Sequence, residues 1–411
     1  MTKTIAIVGT LDTKGEEVKY LKELIERRGH KAIVIDTGVL GAAPFAAEIT
    51  REQVAEAARA DLKELIALGD EGEAMAAMAE GAVKIAQELH SGGGLDGIVA
   101  LGGSMGTSLG IAVMKALPLL VPKLMVSTVA FLPILSPQVV GKDLTVMPTV
   151  ADIWGLNRIT NRVLENAAGA IAGMVENYEA KGIPEKPLVG VTTVGSSACK
   201  YVPWVKPLLE AKGYEVAVFH TNGIGGATFE EYVEQGLLAG ALDFSFFELT
   251  NYLYGTNLGI DRLEAIGKRA IPHVVAPGAA NWFSWYGPPE TIPPRFKERT
   301  LSWHNPLTVG MTMTSEEMVS VAEVMARKLN KALGPTVLLI PTQGFSEYDK
   351  PGGRFYDPEG RSAFIETLKS HIEPSIKVIE LDLHINAPEF SQEAVAIFDS
   401  LMKQGEAYKA V

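Results

Sequence analysis

"IAIVGTLDTKGEEVKYL", residues 5–21, decides how this chain is read. An apolar run of β-branched and small residues ends in Gly9-Thr10, and Val18, Leu21, Leu24 and Ile25 then recur at helical spacing. The pattern predicts a buried strand at 3–9 and a helix over 15–28. A strand that passes straight into a helix is the building unit of a parallel sheet covered on both faces. Between the two lie a threonine, an aspartate, a threonine and a lysine. Such a turn is either a polar connection with a capping Asp-Thr pair or a loop that holds a phosphate.

The alternation continues outward from that stretch. "KAIVID" (31–36), "LDGIVALGG" (95–103) and "KLMVST" (123–128) read as further strands, with another expected near 139–147. Helices are expected at 50–68, 72–90, from about Gly106, and at 155–180. "KGIPEKP" (181–187) reads as a linker. The pattern then restarts with "LVGVTTVG" (188–195), a helix before Gly213, and "YEVAVFH" (214–220). Strands are also expected at 241–249, 271–277, 334–341 and 375–382, and an aperiodic loop over 278–310. The fold class expected is α/β, with two Rossmann-like domains of similar plan at 1–183 and 187–411.

Bulk properties narrow the function classes. The chain has 411 residues, more than one ordinary core accommodates. Its formal net charge is −12 and it has no Lys/Arg stripe, which argues against nucleic acid as a partner. Cys199 is the one cysteine, so no intrachain disulfide can form. The longest apolar stretch, Leu117 to Leu135, contains Pro118, Pro122, Lys123 and Pro133 and reads as loop and buried strand, not as a membrane span. A cytoplasmic protein without a membrane segment is expected.

Ligands of parallel α/β sheets bind at the carboxyl ends of the strands. Four consecutive strand ends here carry small or hydroxyl-bearing residues: Thr10 to Lys14, Asp36-Thr37-Gly38, "GGSMGTS" (102–108) and Ser127-Thr128. The third offers free N–H groups at a helix start, yet it has neither Walker A spacing nor the GxGxxG pattern. Together the loops point to a nucleotide or phosphorylated ligand. Gly102, Gly103, Ser104 and Thr10 are the phosphate-cradle candidates, Asp12 the candidate for magnesium or a hydroxyl, and Lys14 a neutralising cation.

"VGTLDTKGEE", "DTGVLG", "GEAMAAMAEGA" and "LGGSMGTS" resemble the N-terminal ATP-binding domain of the tomato mosaic virus resistance protein family. "WHNP", "GFSEYDKPGGRFYDPEG" and "HINAPEF" are similar to its C-terminal motifs, so the likeness spans nearly the whole chain. It implies a dimer, with ATP and magnesium bound in the first domain. The matching positions are Thr10, Leu11 and Asp12, then Thr37, then Gly102, Gly103, Ser104 and Met105. One position departs: Asp70-Glu71-Gly72 stands where the family often has Asp-Arg-Gly, and Glu71 repels a phosphate that arginine would attract.

In the second half, "HTNGIGGATFEE" (220–231) is either a helix start, with Thr228 and Glu231 as a capping box, or an anion site. His304, His384 and Asp382 are the candidates to face a substrate, with Glu248 and His273 behind them. No HExxH or CxxC spacing points to zinc. The aromatic run "NWFSWYGPP" (281–289) suits a ligand stack, a packed loop or an interface. Cys199 reads as a small buried residue before a nucleophile. The expected function is an ATP/Mg-dependent enzyme acting on a small polar metabolite in a cleft between the domains. The alternatives are a nucleotide-responsive dimeric regulator without turnover and a catabolic enzyme that does not use ATP.

Overall fold

A computed structural model describes residues 1–130, 132, 143–178, 186–255 and 262–409. They form two compact units, Met1–Gly182 and Ile183–Val411. The linker expected at 181–187, apart from Lys186 and Pro187, and residues 139–142 of the strand expected near 139–147 lie outside the described residues.

In the first unit the elements run β1 (Thr4–Gly9), α1 (Leu11–Arg27), β2 (Lys31–Asp36), α2 (Arg51–Ala57), α3 (Leu62–Ala67), α4 (Glu71–Ser91), β3 (Gly97–Gly102), α5 (Ser104–Lys115), β4 (Lys123–Ser127), β5 (Thr145–Pro148) and α6 (Arg158–Glu176). The strands form one parallel sheet in the order β2-β1-β3-β4-β5. Successive side chains of β1 supply opposite faces, as strand geometry requires. Ile5 and Ile7 pack with Val18 and Leu21 of α1 and Ile171 of α6, whereas Ala6 and Val8 pack with Met78 of α4 and Met114 of α5.

Helix α1 begins four residues before the expected start. Lys14 has non-helical angles (φ −129°, ψ 22°), so residues 11–14 form a first turn kinked against the amphipathic run from Gly15. Helix α5 likewise begins at Ser104, not near Gly106. A Cβ on Gly102 would come within 2.8 Å of the Gly106 Cα, so the two glycines let strand and helix approach. Within the long apolar stretch, the ammonium of buried Lys123 donates to Asp143 at 2.6 Å.

The second unit runs β6 (Leu188–Thr193), α7 (Val202–Ala211), β7 (Glu215–His220), α8 (Ile224–Glu234), β8 (Gly240–Asp243), α9 (Phe247–Tyr254), α10 (Glu264–Arg269), β9 (His273–Val275), β10 (Trp282–Tyr286), β11 (Leu301–Asn305), β12 (Thr308–Thr312), α11 (Ser315–Leu329), β13 (Thr336–Pro341), α12 (Pro358–His371), β14 (Lys377–Leu381) and α13 (Pro388–Lys409). Its six-stranded parallel sheet has the order β14-β13-β9-β8-β6-β7. Read from β7, the first five strands repeat the order of the first unit. The chain is thus α/β and Rossmann-like in both halves. Among the described residues no helix is long and apolar enough to cross a membrane.

Two expectations fail in this unit. The strand expected at 241–249 stops at Asp243, and Phe247–Tyr254 is helix. A continuous apolar run carries no periodicity that separates the two. Residues 278–310 are not an aperiodic loop: β10, β12 and β11 form a three-stranded antiparallel sheet in that order. Phe283 pairs with Met311 and Trp285 with Val309 against the core, while Trp282, Ser284 and Tyr286 take the other face. Aromatic residues stand on both faces of β10, which hid the alternation.

Candidate functional site

In the first unit the chain reverses direction across the sheet between β1 and β3, the switch point at which open α/β sheets bind ligands. A cleft of about 220 Å³ opens there, lined by Thr10 and Asp12 to Lys14 after β1, by Gly102 to Gly106 after β3, and by Val39, Leu40, Glu71 and Met75. Of the four loops selected from strand ends, those after β1 and β3 are therefore brought together.

Asp36 builds this edge. Its Oδ1 accepts from the Leu11 N–H at 3.0 Å and the Gly38 N–H at 2.9 Å, pinning the turn after β1 to that after β2. Burial raises its pKa, partly offset by those two N–H bonds. Leu11 contributes this backbone contact while its side chain enters the core. Asp12 Oδ2 accepts from the amides of Leu40 (2.6 Å) and Gly41 (3.2 Å), and its buried Oδ1 has no partner. Thr37 is buried with an unpartnered hydroxyl but does not line the cleft. Gly103 is the N-cap of α5 and no side chain caps the helix, so the first-turn N–H groups beside Ser104 and Met105 face the cleft uncapped. Thr10 bonds Thr13 through their hydroxyls at 2.7 Å.

The charges around the cleft are mixed. The Lys14 ammonium donates to the Ile153 carbonyl and lies 5.2 Å from the Trp154 ring centroid. Glu71 is the first residue of α4, after the Asp70 cap, and lines the cleft. Among the described residues no group of three or more His, Cys, Asp or Glu is arranged to hold a metal. A magnesium ion there would depend on Asp12, phosphate oxygens and water, which is the usual manner for that ion.

The second unit has its own cavity, of about 600 Å³, at the equivalent edge where β6 meets β7 and β8. Gly195 (φ +98°) turns the chain after β6 so that Ser196 and Ser197 line it. His220 and Asn222 enter from the end of β7, and the antiparallel sheet supplies Trp282, Ser284, Tyr286, Ser302, Trp303, His304 and Thr308. The β11–β12 register shifts between Trp303 and Asn305, a bulge that lets both Trp303 and His304 reach the cavity. Burial lowers the His220 pKa, and burial with the Glu248 charge pushes the Tyr286 hydroxyl up to about 12.

His384 and Asp382 are not among the residues lining this cavity. His384 bonds the Ser346 carbonyl through Nε2 (3.0 Å) and accepts the Asn386 amide at Nδ1 (3.1 Å). Asp382 accepts from Thr342 Oγ1 at 3.3 Å and from the Gln343 amide. His304 is the one of the three that the cavity contains. His220 was missed as a site residue, although its position at a strand end before a glycine-rich turn is the signal used elsewhere in the chain.

That turn also differs from its reading. Helix α8 starts at Ile224, and Thr228 inside it donates to the Ile224 carbonyl, so Thr228 and Glu231 form no capping box. The helix start is occupied by Glu248, whose Oε1 accepts from the amides of Gly223 and Gly226. A Cβ on Gly226 would fall 1.5 Å from that carboxylate. Fully buried Arg262 donates from Nη2 to both oxygens of Asp243 (2.9 and 3.0 Å), from Nη1 to Glu248 at 3.0 Å and from Nε to Glu230 at 3.2 Å. Burial leaves the Glu248 carboxyl above its usual value; at Asp243 burial raises the carboxyl too, but the Arg262 charge together with His273 and Thr192 outweighs it and holds the carboxyl below its usual value. His273 Nε2 lies 3.8 Å from Asp243. Glu248 and His273 thus belong to a buried network under the cavity. Cys199 is buried and burial pushes its thiol up to about 12, which suits packing and not nucleophilic attack.

With this geometry in view, the chain belongs to the uncharacterised protein family UPF0261: residues 3–180 match its N-terminal domain and residues 186–402 its C-terminal domain. It is 38% identical to a UPF0261 protein of Brucella melitensis over 98% of this chain and 97% of that one. It is 40% identical to a UPF0261 protein of Clostridium tetani over 99% and 100%. It is also 33% identical to the ToMV resistance protein Tm-1(GCR237) of Solanum lycopersicum, over 95% of this chain and 55% of the tomato protein.

Proposed function

We propose that this UPF0261 protein binds ATP with magnesium in the cleft of its first unit and uses it to act on a small polar metabolite held by the second. The observation that carries the nucleotide half is the meeting of an uncapped helix start and a half-free carboxylate at the sheet's switch point. The amides at Ser104 and Met105 would receive a phosphate, and Thr10 would donate its hydroxyl. Asp12, anchored by Leu40 and Gly41, would orient magnesium with its other oxygen. Bound magnesium would neutralise phosphate charge for transfer or activation chemistry. The cleft is smaller than a typical site for a whole small molecule, so it fits the phosphates better than the complete nucleotide. The protein is expected to work as a homodimer in the cytoplasm; light scattering of the purified chain tests the dimer, and cell fractionation the location.

Calorimetry with ATP and MgCl2 is expected to give saturable binding, and incubation with a metabolite pool to release ADP. No heat and no thermal shift would remove the nucleotide claim. Binding with no ADP from any pool would favour a nucleotide-responsive regulator. Glu71 adds a local prediction. Glu71→Gln is expected to tighten ATP binding by about two- to fivefold at low salt, shrinking as salt rises, because one like charge leaves a phosphate site. Unchanged affinity at low salt would place the phosphates away from α4.

A further inference from the structure

We propose that the cavity of the second unit binds a neutral pyranose or furanose sugar, its C–H face against the aromatic wall and its hydroxyls on the surrounding serines and histidines. The inference names the class of metabolite in the reading above, but every group it uses lies within residues 194–355, so it stands or falls without ATP.

Size admits such a ligand. About 600 Å³ lies inside the usual range for small-molecule sites and leaves room for ordered water. Wall chemistry then selects the class. Tyr286 and the exposed Trp303 line the cavity with aromatic rings, whose negative faces attract weakly positive C–H groups. Between them stand Ser284, Ser302 and Thr308, each able to donate and to accept, which matches a ring of hydroxyls that do the same.

Charge removes the competing classes. No Lys, Arg, Asp or Glu is among the described residues lining the cavity. A phosphate or a sugar acid would lack the cation that such groups ordinarily meet. His220, held toward its neutral form by burial, presents a ring nitrogen that can accept a hydroxyl proton.

A separate observation points to a missing partner. Trp282 is 8% exposed and lines the cavity, and its buried Nε1–H has no acceptor. Buried donors are rarely left so. The ring is held by Phe247 (centroids 4.4 Å apart), Tyr348 (5.6 Å) and Phe355 (6.0 Å), and it lies across Gly310, where a Cβ would come within 3.1 Å of it. The ring is held in place by the protein itself, and what it leaves over is an unused donor, for which a sugar oxygen is a fitting acceptor.

The test is saturation-transfer NMR on the full chain, without ATP or magnesium, against D-glucose, D-galactose, D-mannose, D-xylose and D-ribose. D-gluconate, glucose 6-phosphate and adenosine serve as contrasting ligands. At least one neutral sugar is expected to bind and to change tryptophan fluorescence. Trp303→Ala and His304→Ala, both at exposed positions, are expected to weaken it at least tenfold with an unchanged melting temperature. Trp282→Phe, which keeps a ring but removes the donor, is expected to weaken it severalfold. No binding by any neutral sugar would overturn the proposal. So would equal binding in the Trp303 and His304 variants, or tighter binding of gluconate, glucose 6-phosphate or adenosine than of every neutral sugar. Failure of ATP to bind in calorimetry leaves this result untouched, so the two readings fail separately.

Discussion

Arg262→Ala is expected to cost the second unit about 3–5 kcal/mol, because it strips the cation from two buried carboxylates, Asp243 and Glu248, and from the partly buried Glu230. Asp243 and Glu248 are fully buried and have no route to water, so each would have to take a proton or unfold its surroundings. The pH dependence follows from that. In the variant the folded pKa of these carboxyls lies above the unfolded one, so the folded state binds more protons than the unfolded state through that window. The deficit is therefore greatest at neutral pH and shrinks as pH falls through the raised values toward the ordinary carboxyl range. Native-state hydrogen exchange of the β8 and α8 amides reads the effect locally, without assuming that both units unfold together. Protection within 1 kcal/mol of the parent chain at pH 7 would show that the carboxylates find other partners. Glu248 holds the start of α8, just after His220 and Asn222, so the cavity rim should loosen along with the network.

Asp12→Asn is expected to reduce ATP affinity in the presence of magnesium by about 10- to 100-fold, the range for losing a charge-assisted contact. Asparagine keeps one oxygen to accept from Leu40 and Gly41, so the turn should hold its shape while its charge is lost. The effect should be much smaller with EDTA present, since the carboxylate's role is toward the metal. Equal affinity of parent and variant with magnesium would sink the metal role, whatever happens without it.

Strands β1, β2, β3, β6 and β13 are short, apolar and bounded by glycine or polar residues, so burial on both faces makes them legible. The loops after β1 and β3 stood out only together: small and hydroxyl-bearing residues serve equally as turns and helix caps, and their recurrence at successive strand ends marked one edge of the sheet. Which strands are neighbours is not written locally, and it is neighbouring that joins Thr10–Lys14 to Gly102–Gly106 in one cleft. Phe247–Tyr254 was misread because a run of apolar residues fits a strand and a buried helix equally. His384 looked free because its context is polar, yet its two ring nitrogens bond the backbone around Ser346 and Asn386. His220 went unnamed because the glycines after it drew the reading toward an anion loop, a place that the chain fills with its own Glu248.

The small antiparallel sheet gives the second unit a separation of liabilities. Along β10 and β12, Phe283, Val309 and Met311 answer to the core, and Ser284, Tyr286 and Thr308 answer to the cavity. The pleat keeps those two sets on opposite sides, so a substitution in one is nearly silent in the other. Because the sheet is an excursion between β9 and α11, the parallel strands need not adjust when its outward residues change. Preference for one guest over another is therefore free to drift among descendants of this chain while the scaffold stays constant, and a combinatorial library confined to residues 284, 286, 302, 304 and 308 should yield folded proteins at high frequency.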